Sequence, residues 1–137
     1  MAENIRLEVV TPEKQVVNDR AQIVMAPGSL GEFGVLSGHT PFMTSLKTGA
    51  IHYRDQDGKD QYVFVSGGFA EALPDKVTVL AESAEKMEDI DPERARSAME
   101  RAEKRLAEDR AKEQVDSERA KAALERAVVR IRIAGSQ

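Results

Sequence analysis

The sequence contains no cysteine and no tryptophan, and its 137 residues include two histidines, His39 and His52. The lack of cysteine excludes disulfides, thiolate chemistry and cysteine-ligated zinc. Two histidines are too few for a histidine-rich metal centre, so we predict no metal site and no required cofactor. No run of roughly 18 apolar residues is present, so we expect no insertion into a membrane. The N-terminus also lacks the charged start and apolar core of a secretory signal.

Charge of one sign does not dominate the chain. Charged residues make up 32% of it, hydrophobic residues 41%, and the net charge is −4. This composition is typical of a globular protein and argues against general nucleic-acid binding. Residues 1–90 carry 8 basic and 14 acidic side chains, whereas residues 91–137 carry 12 and 10. An acidic first part and a mildly basic second part are therefore expected.

Glycine and aromatic residues are confined to one part of the chain. All six aromatics lie between Phe33 and Phe69, and no glycine occurs from Phe69 to Ala134. Turn-rich strands are expected before this change in composition and helix after it. We predict an α+β protein with two domains, an antiparallel β-sandwich or flattened barrel over 1–87 and an antiparallel helical hairpin over 88–137.

Period-two alternation predicts the strands of the first domain. The alternating segments are Ile5–Val9, Ile23–Met25, Ile51–Tyr53 and Val77–Ala81, the last of which we take as the final strand. Asp57-Gly58 is a favoured hairpin turn because both residue types tolerate positive φ. Tyr62–Val65 is expected to return from this turn as a more fully buried strand.

A strong helix start opens the second domain. Asp91 provides an N-cap, Pro92 suits the first helical position and Glu93 suits the first turn. Asp116 or Ser117 is expected to cap a second helix, which Gly135 ends. Small and apolar residues recur on one face of each helix: Ala95, Ala98, Met99, Ala102 and Leu106 on the first, and Ala120, Ala123, Leu124, Ala127 and Ile131 on the second.

The alanine seam between these helices has two interpretations. Alanine, Glu, Lys and Arg favour helix. An alanine seam buries little apolar area, and burial stabilises by only about 25 cal/mol per Å², so the seam contributes little free energy. The helices then persist individually while their docking is marginal, which suits an element with two arrangements. The alternative is a permanently docked hairpin of small residues.

Catalytic and phosphate-binding motifs are missing. Lys47-Thr48 lacks the glycine that a phosphate loop requires, and the glycines at 28, 31, 34 and 38 do not form a dinucleotide-binding fingerprint. Asp60 stands where a calcium loop needs glycine. We predict that the chain is not an enzyme, and a small hydrolase is the least favoured reading.

The most informative segment is Pro27–Gly49, with four regularly spaced glycines, then His39-Thr40-Pro41 and an apolar stretch. From its residues alone it is a structured loop whose exposed tip meets a partner. Its pattern closely resembles that of the epsilon subunits of F-type ATP synthases, which are called delta in mitochondria. Val65–Glu71 is similar to a second stretch of that family, and the resemblance covers the whole chain.

The resemblance implies a non-catalytic rotor subunit that couples proton flow to ATP synthesis. Its sandwich would join the gamma subunit to the ring of c subunits, on the cytoplasmic face of the energy-transducing membrane and peripheral to it. By position in the motif, Glu32 would face the c ring and His39 would lie near gamma. The alternatives from the residues themselves are a solvated loop carboxylate and a hydrogen-bonded turn histidine.

An arginine-rich constellation resembles the ATP-binding pattern of some bacterial members of the family. The resemblance implies ATP as a regulatory ligand, held by Glu85, Ile90, Asp91, Arg94, Arg101, Arg126 and Arg130. Arg94 and Arg101 share a helix face, and Arg105 lies one turn beyond Arg101. The alternative is a solvated charged face with partners such as Glu100–Lys104 and Glu108–Lys112.

The family also implies how the hairpin acts. Folded on the sandwich it would permit turnover. Extended along gamma, its basic face would meet acidic segments of the catalytic alpha and beta subunits and inhibit ATP hydrolysis. That face is expected to comprise Arg119, Arg126, Arg130 and Arg132. The rival hypothesis is a sandwich-plus-hairpin adaptor unrelated to a rotary motor.

Overall fold

The structure is a computed structural model that describes residues 3–108 and 114–135, with side chains in the second range from Ser117 onward. It divides into two compact units after Met87. The first unit, called the sandwich below, contains the strands. The second unit, called the hairpin, begins at Glu88 and contains the α-helices.

Nine strands form the sandwich in the described part of the chain. They are β1 (Ile5–Val10), β2 (Gln15–Gly28), β3 (Gly31–Val35), β4 (Phe42–Ser45), β5 (Gly49–Asp55), β6 (Asp60–Ser66), β7 (Phe69–Leu73), β8 (Lys76–Leu80) and β9 (Ser83–Lys86). The sequence had placed the final strand at Val77–Ala81, and this prediction is wrong because β9 follows it. The segment Pro27–Gly49, predicted as a structured loop that enters a strand, contains two strands, β3 and β4.

Strand order gives an open sheet. It runs β4-β7-β8-β1-β2-β5-β6-β9, with β3 pairing on β2. The predicted sandwich is confirmed, but the order ends at β4 and β9, so the domain is not a closed barrel. The antiparallel prediction also needs one correction. β1 pairs with β8 in parallel, from Arg6 opposite Lys76 to Val10 opposite Leu80.

Alternating side chains fill the core of the sandwich. Ile5, Leu7 and Val9 on β1 are fully buried and lie beside Val77 and Val79 on β8. Side chains in a strand point alternately to opposite faces, so this pattern commits one face of each strand to the interior. The predicted alternation is therefore confirmed for these strands.

β2 departs from the predicted alternation. Its pairing with β5 shifts between Ala21 and Ile23, which marks a bulge. A bulge inserts one residue and moves the following side chains to the opposite face. The structure therefore buries Val24 and Ala26, whereas the sequence had assigned the inward positions to Ile23 and Met25.

The turn between β5 and β6 is built around Asp55. The Asp55 carboxylate accepts hydrogen bonds from the Asp57 N–H at 2.9 Å, the Lys59 N–H at 3.0 Å and Gln61 Nε2 at 3.1 Å. Gly58 has a φ of 83°, which is the left-handed conformation that glycine tolerates best. The predicted Asp-Gly hairpin turn is confirmed.

Two α-helices form the described part of the hairpin. They are α1 (Pro92–Glu108) and α2 (Gln114–Ala134), and a 3₁₀ turn spans Met87–Asp89. The predicted cap of α1 is confirmed, since Asp91 Oδ1 accepts the N–H groups of Glu93 and Arg94, both at 3.1 Å. The predicted cap of α2 is wrong, because the helix begins at Gln114 and Asp116 and Ser117 lie inside it.

The seam of the hairpin consists of small residues. Ala95 and Ala102 of α1 are buried, as are Ala120 and Ala127 of α2. Alanine side chains let two helix axes approach closely but bury little area, so each contributes far less than a leucine would. The hairpin was predicted correctly, and so were these four alanines of its seam. The predicted Ile131 is only half-buried, whereas Ile133, which was not predicted, is buried.

Candidate functional site

The β2–β3 hairpin presents an exposed tip. Ser29 and Leu30 form its turn, and Leu30 is fully exposed. The tip is tied to β4, because the Ser29 N–H donates to the Ser45 carbonyl at 2.9 Å and the Ser45 hydroxyl donates to Ser29 Oγ at 2.7 Å. Glu32 lies on β3 opposite Pro27 and is exposed. The predicted partner residue Glu32 thus lies near the start of β3, directly after this tethered turn.

His39 follows β3 and is half-buried. Its Nδ1 lies 2.6 Å from the Thr40 carbonyl oxygen, which can only accept, so Nδ1 carries a proton. The ring also meets Phe42 edge-on, with centroids 5.0 Å apart, and Phe42 meets Phe33 in the same way at 5.1 Å. His39 therefore makes the hydrogen bond of a turn histidine and packs on an aromatic pair.

Three large apolar side chains on the outer face of β4, β7 and β8 are exposed, and none of them had been predicted as a functional residue. Met43, Phe69 and Leu80 are 66%, 58% and 57% exposed. Phe69 lies directly opposite both Ser45 on β4 and Leu80 on β8. We call Met43, Phe69 and Leu80 the apolar face. Because Ser45 also bonds to Ser29, this face is continuous with the β2–β3 tip.

A signal for the apolar face was present in the alternation. Val77 and Val79 point inward, which places Leu80 on the outer side of β8. Phe69 shares its phase with the exposed Glu71, while Ala70 between them is buried. Large apolar side chains in the outward phase of a strand indicate a surface for a partner.

The residues assigned to ATP fall in both units. Glu85 is half-buried on β9 of the sandwich, opposite Phe64 of β6. Ile90 of the hairpin is buried, and Asp91 holds the N-terminus of α1. One carboxylate oxygen of Asp91 is therefore already occupied by two backbone N–H groups.

The arginines of the hairpin lie in two rows. At 3.6 residues per turn, Arg94, Arg101 and Arg105 align on one face of α1, and Arg119, Arg126 and Arg130 align on one face of α2. The prediction that Arg132 belongs to this face is wrong, because the two residues from Arg130 to Arg132 turn the helix by about 200°.

A groove of about 680 Å³ separates part of these two rows. Arg101 and Arg126 of the predicted ATP site line this groove, but the other residues assigned to ATP do not. The predicted pair Glu100–Lys104 is not among the ion pairs of the described chain, where α1 instead has Arg96 paired with Glu93 at 2.7 Å. Lys112 of the predicted pair Glu108–Lys112 lies outside the described residues.

Two carboxylates of the sandwich have perturbed acidity. The backbone N–H of Lys59 lowers the pKa of Asp55, with further help from Gln61 and Asp57. His52, 3.3 Å away, lowers the pKa of Asp60, as does Arg54. Both carboxylates stabilise the β5–β6 turn region. Within 3–108 and 114–135 no three acidic or histidine side chains come together as a metal site.

Comparisons with known protein families agree with this two-domain fold. Residues 4–87 match the model of the ATP synthase delta/epsilon chain β-sandwich domain, and residues 88–135 match that of the long α-helix domain. The chain belongs to the ATP synthase delta/epsilon family. It is an epsilon-type subunit, and family membership argues against an adaptor unrelated to a rotary motor.

Similar curated proteins are named as ATP synthase epsilon chains. The chain is 71% identical over 106 residues to the ATP synthase epsilon chain of Desulfosudis oleivorans, covering 77% of this chain and 80% of that one. It is 54% identical over 136 residues to the epsilon chain of Nitratidesulfovibrio vulgaris strain DP4, covering 99% of both.

Solved structures share the fold. A chain of the Euglena gracilis mitochondrial ATP synthase, determined with OSCP, F1 and the c-ring, superposes with a TM-score of 0.81 at 22% identity, over 100% of this chain and 84% of that one. A chain of the Tetrahymena thermophila central stalk and c-ring gives 0.60 at 10% identity, over 97% and 98%. Neither helix of the described residues has the length and apolar character needed to span a bilayer.

Proposed function

We propose that this subunit is a non-catalytic part of the central stalk of a proton-translocating ATP synthase, peripheral to the membrane on its cytoplasmic side. Its sandwich joins the gamma subunit to the c ring, so that proton flow turns both together. Family membership over residues 4–135 supports the complex, and the apolar face is the observation that supports a coupling role.

The apolar face is the surface that we assign to gamma. Met43, Phe69 and Leu80 expose apolar area that water solvates poorly, and burying it against a partner stabilises the complex. His39 contributes a hydrogen-bonding group, because its Nδ1 is committed to the Thr40 carbonyl and leaves Nε2 for the partner.

The β2–β3 tip is the surface that we assign to the c ring. Leu30 on the turn provides an apolar contact, and Glu32 near the start of β3 provides an acidic one. The hydrogen bonds between Ser29 and Ser45 hold this turn against β4, so the tip is positioned before it binds. Torque passes through this tethered turn more effectively than it would through a flexible loop.

The hairpin is the regulatory element of the proposal. Its alanine seam makes docking of the helices weak, and the row Arg119, Arg126 and Arg130 presents basic charge on one side of α2. In an extended arrangement this row meets acidic segments of the catalytic alpha and beta subunits and impedes ATP hydrolysis. ATP shifts the balance only as far as its affinities for the two arrangements differ.

A double substitution tests the coupling role. Phe69→Ser with Leu80→Ser removes apolar area from the face, and F69L/L80M is the matched control that keeps it. Burial of two such side chains contributes about 3 kcal/mol or more, so we expect affinity for purified gamma to fall by roughly a hundredfold in the serine variant only. Equal affinity of the serine variant and the wild type for gamma would show that gamma does not bind this face.

Calorimetry tests the nucleotide role separately. ATP is titrated into the isolated full chain, and we expect saturable heat that decreases in the R94Q/R130Q variant. Absence of heat and of thermal stabilisation at millimolar ATP would eliminate nucleotide regulation in this subunit, and it would leave the coupling role intact.

A further inference from the structure

A cavity of about 620 Å³ lies in the sandwich, and we call it the apolar pocket. Phe69 and Leu80 of the apolar face form part of its wall, so the pocket and the face are continuous. Val10, Leu46 and Ala81 add further apolar lining. The volume lies in the range of sites that enclose small ligands, which gives room for a large apolar side chain.

Backbone hydrogen bonds hold the wall of the apolar pocket in place. The Leu46 N–H donates to the Gly68 carbonyl at 2.8 Å, and the Ala81 N–H donates to the Val10 carbonyl at 2.9 Å. These bonds join segments that follow β4, β6, β8 and β1, so four parts of the chain fix the shape of the pocket. A pocket that exists before binding reduces the entropy that a partner must lose on entering it.

Two carboxylates flank this apolar surface. Glu71 follows Phe69 by two residues on the outer side of β7, and Glu82 is the one charged residue in the described lining of the pocket. Both side chains are exposed, and neither takes part in an ion pair among residues 3–108 and 114–135. A Cβ at Gly67 would lie 3.4 Å from Glu82 Cδ, so glycine at that position leaves space beside the carboxylate.

We propose that the apolar pocket receives a large apolar side chain of the gamma subunit, and that Glu71 and Glu82 pair with lysine or arginine residues of gamma beside it. This inference rests on the proposed function, which assigns the apolar face to gamma, and it identifies the part of that face that anchors the complex. Apolar anchors that fill a pocket contribute most of the binding energy of an interface. Charged residues around such an anchor determine which partner binds and how fast.

The carboxylates also discriminate between gamma and a second copy of this chain. A two-fold contact between copies places the same surface of both chains together. It would bring two copies of Glu71 and two of Glu82 to one interface, where like charges repel. A partner with basic residues removes this repulsion and supplies the counter-charge that a carboxylate needs when it loses water.

Binding of the full chain to purified gamma tests the charged part of the inference. At low ionic strength we expect E71Q/E82Q to lose affinity about tenfold, mainly through slower association, because two charge pairs disappear. The affinity of the wild type should fall as salt is added, and that of E71Q/E82Q should fall less. The control D57N/D75N removes two exposed carboxylates from other turns of the sandwich and should bind like the wild type.

Val10→Phe tests the pocket itself. The variant places a ring at the wall, so it reduces the space in the pocket while it adds apolar area. If gamma inserts a side chain, its affinity for the variant should fall at least about tenfold. A partner that lies flat on the face would bind the variant as tightly as the wild type or more tightly. Thermal unfolding checks that the variant is folded, and Val10→Met is a second filling variant whose flexible side chain fits irregular space.

Three results would overturn the inference while the proposed function stands, provided that F69S/L80S still loses gamma. One is equal affinity of E71Q/E82Q and D57N/D75N for gamma. Another is undiminished affinity of the folded Val10 variants. The third is a dimer of the free chain in sedimentation that Val10→Phe abolishes without weakening gamma, since a second copy would then occupy the pocket. Absence of any binding between the wild-type chain and gamma would overturn both the proposed function and this inference.

Discussion

Replacement of Gly68 by alanine should destabilise the sandwich severely. Gly68 lies between β6 and β7 with a φ of 112°, a conformation that other residues rarely adopt. A Cβ there would overlap the carbonyl oxygen of Leu80 and come within 2.8 Å of Ala81 Cα. Both neighbours are backbone and cannot rotate away, so β7 and β8 would have to separate.

The size of the loss follows from two contributions. A non-glycine residue in a disfavoured backbone region costs about 1–3 kcal/mol. Overpacking that moves backbone costs about 1–3 kcal/mol more. We therefore expect Gly68→Ala to lose roughly 2–6 kcal/mol of unfolding free energy, a large part of the total for a domain of this size.

Gly58→Ala is the matched control. Gly58 also has a positive φ, of 83°, but an added Cβ would meet nothing within 4 Å. Only the conformational cost of about 1–2 kcal/mol remains. Urea denaturation followed by tyrosine fluorescence measures both variants, because Tyr53 and Tyr62 lie in the sandwich and the sequence has no tryptophan. Equal losses in the two variants would refute the packing described around Gly68.

Three further outcomes are expected. The N–H of Lys59 lowers the pKa of Asp55 in the folded state. The stability that this carboxylate gives is therefore complete above its ordinary pKa of 3.8 and is lost as the pH falls through the lower folded value. Unfolding measured across an acid titration should show this loss, and the Asp55→Asn variant should lack it. Asp91→Ala should lower hairpin stability by about 1 kcal/mol while Asp91→Asn changes it little, as thermal melts of helicity will report; a loss as large in the asparagine variant would contradict the cap on Arg94. A chain that ends at Met87 should keep the tyrosine spectrum of the folded sandwich, and an unfolded fragment would contradict two separate units.

Local patterns in the sequence predicted the elements that depend on local interactions. Asp91 caps α1 because its side chain reaches the N–H groups two and three residues ahead. Asp57-Gly58 turns the β5–β6 hairpin because glycine tolerates its positive φ. Such features involve residues close in the chain, so a window of a few residues contains all the information they need.

The pairing of strands across the sheet could not be predicted from such short windows of sequence. The parallel contact of β1 with β8 joins residues about seventy positions apart, and period-two alternation is the same for either direction. The bulge before Ile23 reverses which side chains of β2 face inward, although no proline or glycine at that point announces it. Both depend on the packing of the complete sheet.

The candidate site was predicted in part for the same reason. Glu32 and the arginine rows follow from a motif and from helical periodicity. The apolar face combines Met43, Phe69 and Leu80 from three strands, and their neighbourhood depends on the order β4-β7-β8. The groove between α1 and α2 likewise needs both helices, since Arg105 and Arg119 share a lining only once the helices pack together.

The central claim is that the sandwich holds gamma to the c ring. The most direct measurement is binding of the purified full chain to purified gamma and to purified c ring, by surface plasmon resonance with wild type, F69S/L80S and F69L/L80M. The account predicts that wild type and F69L/L80M bind both partners and that F69S/L80S loses gamma while it keeps the c ring. Failure of the wild-type chain to bind either partner would contradict it.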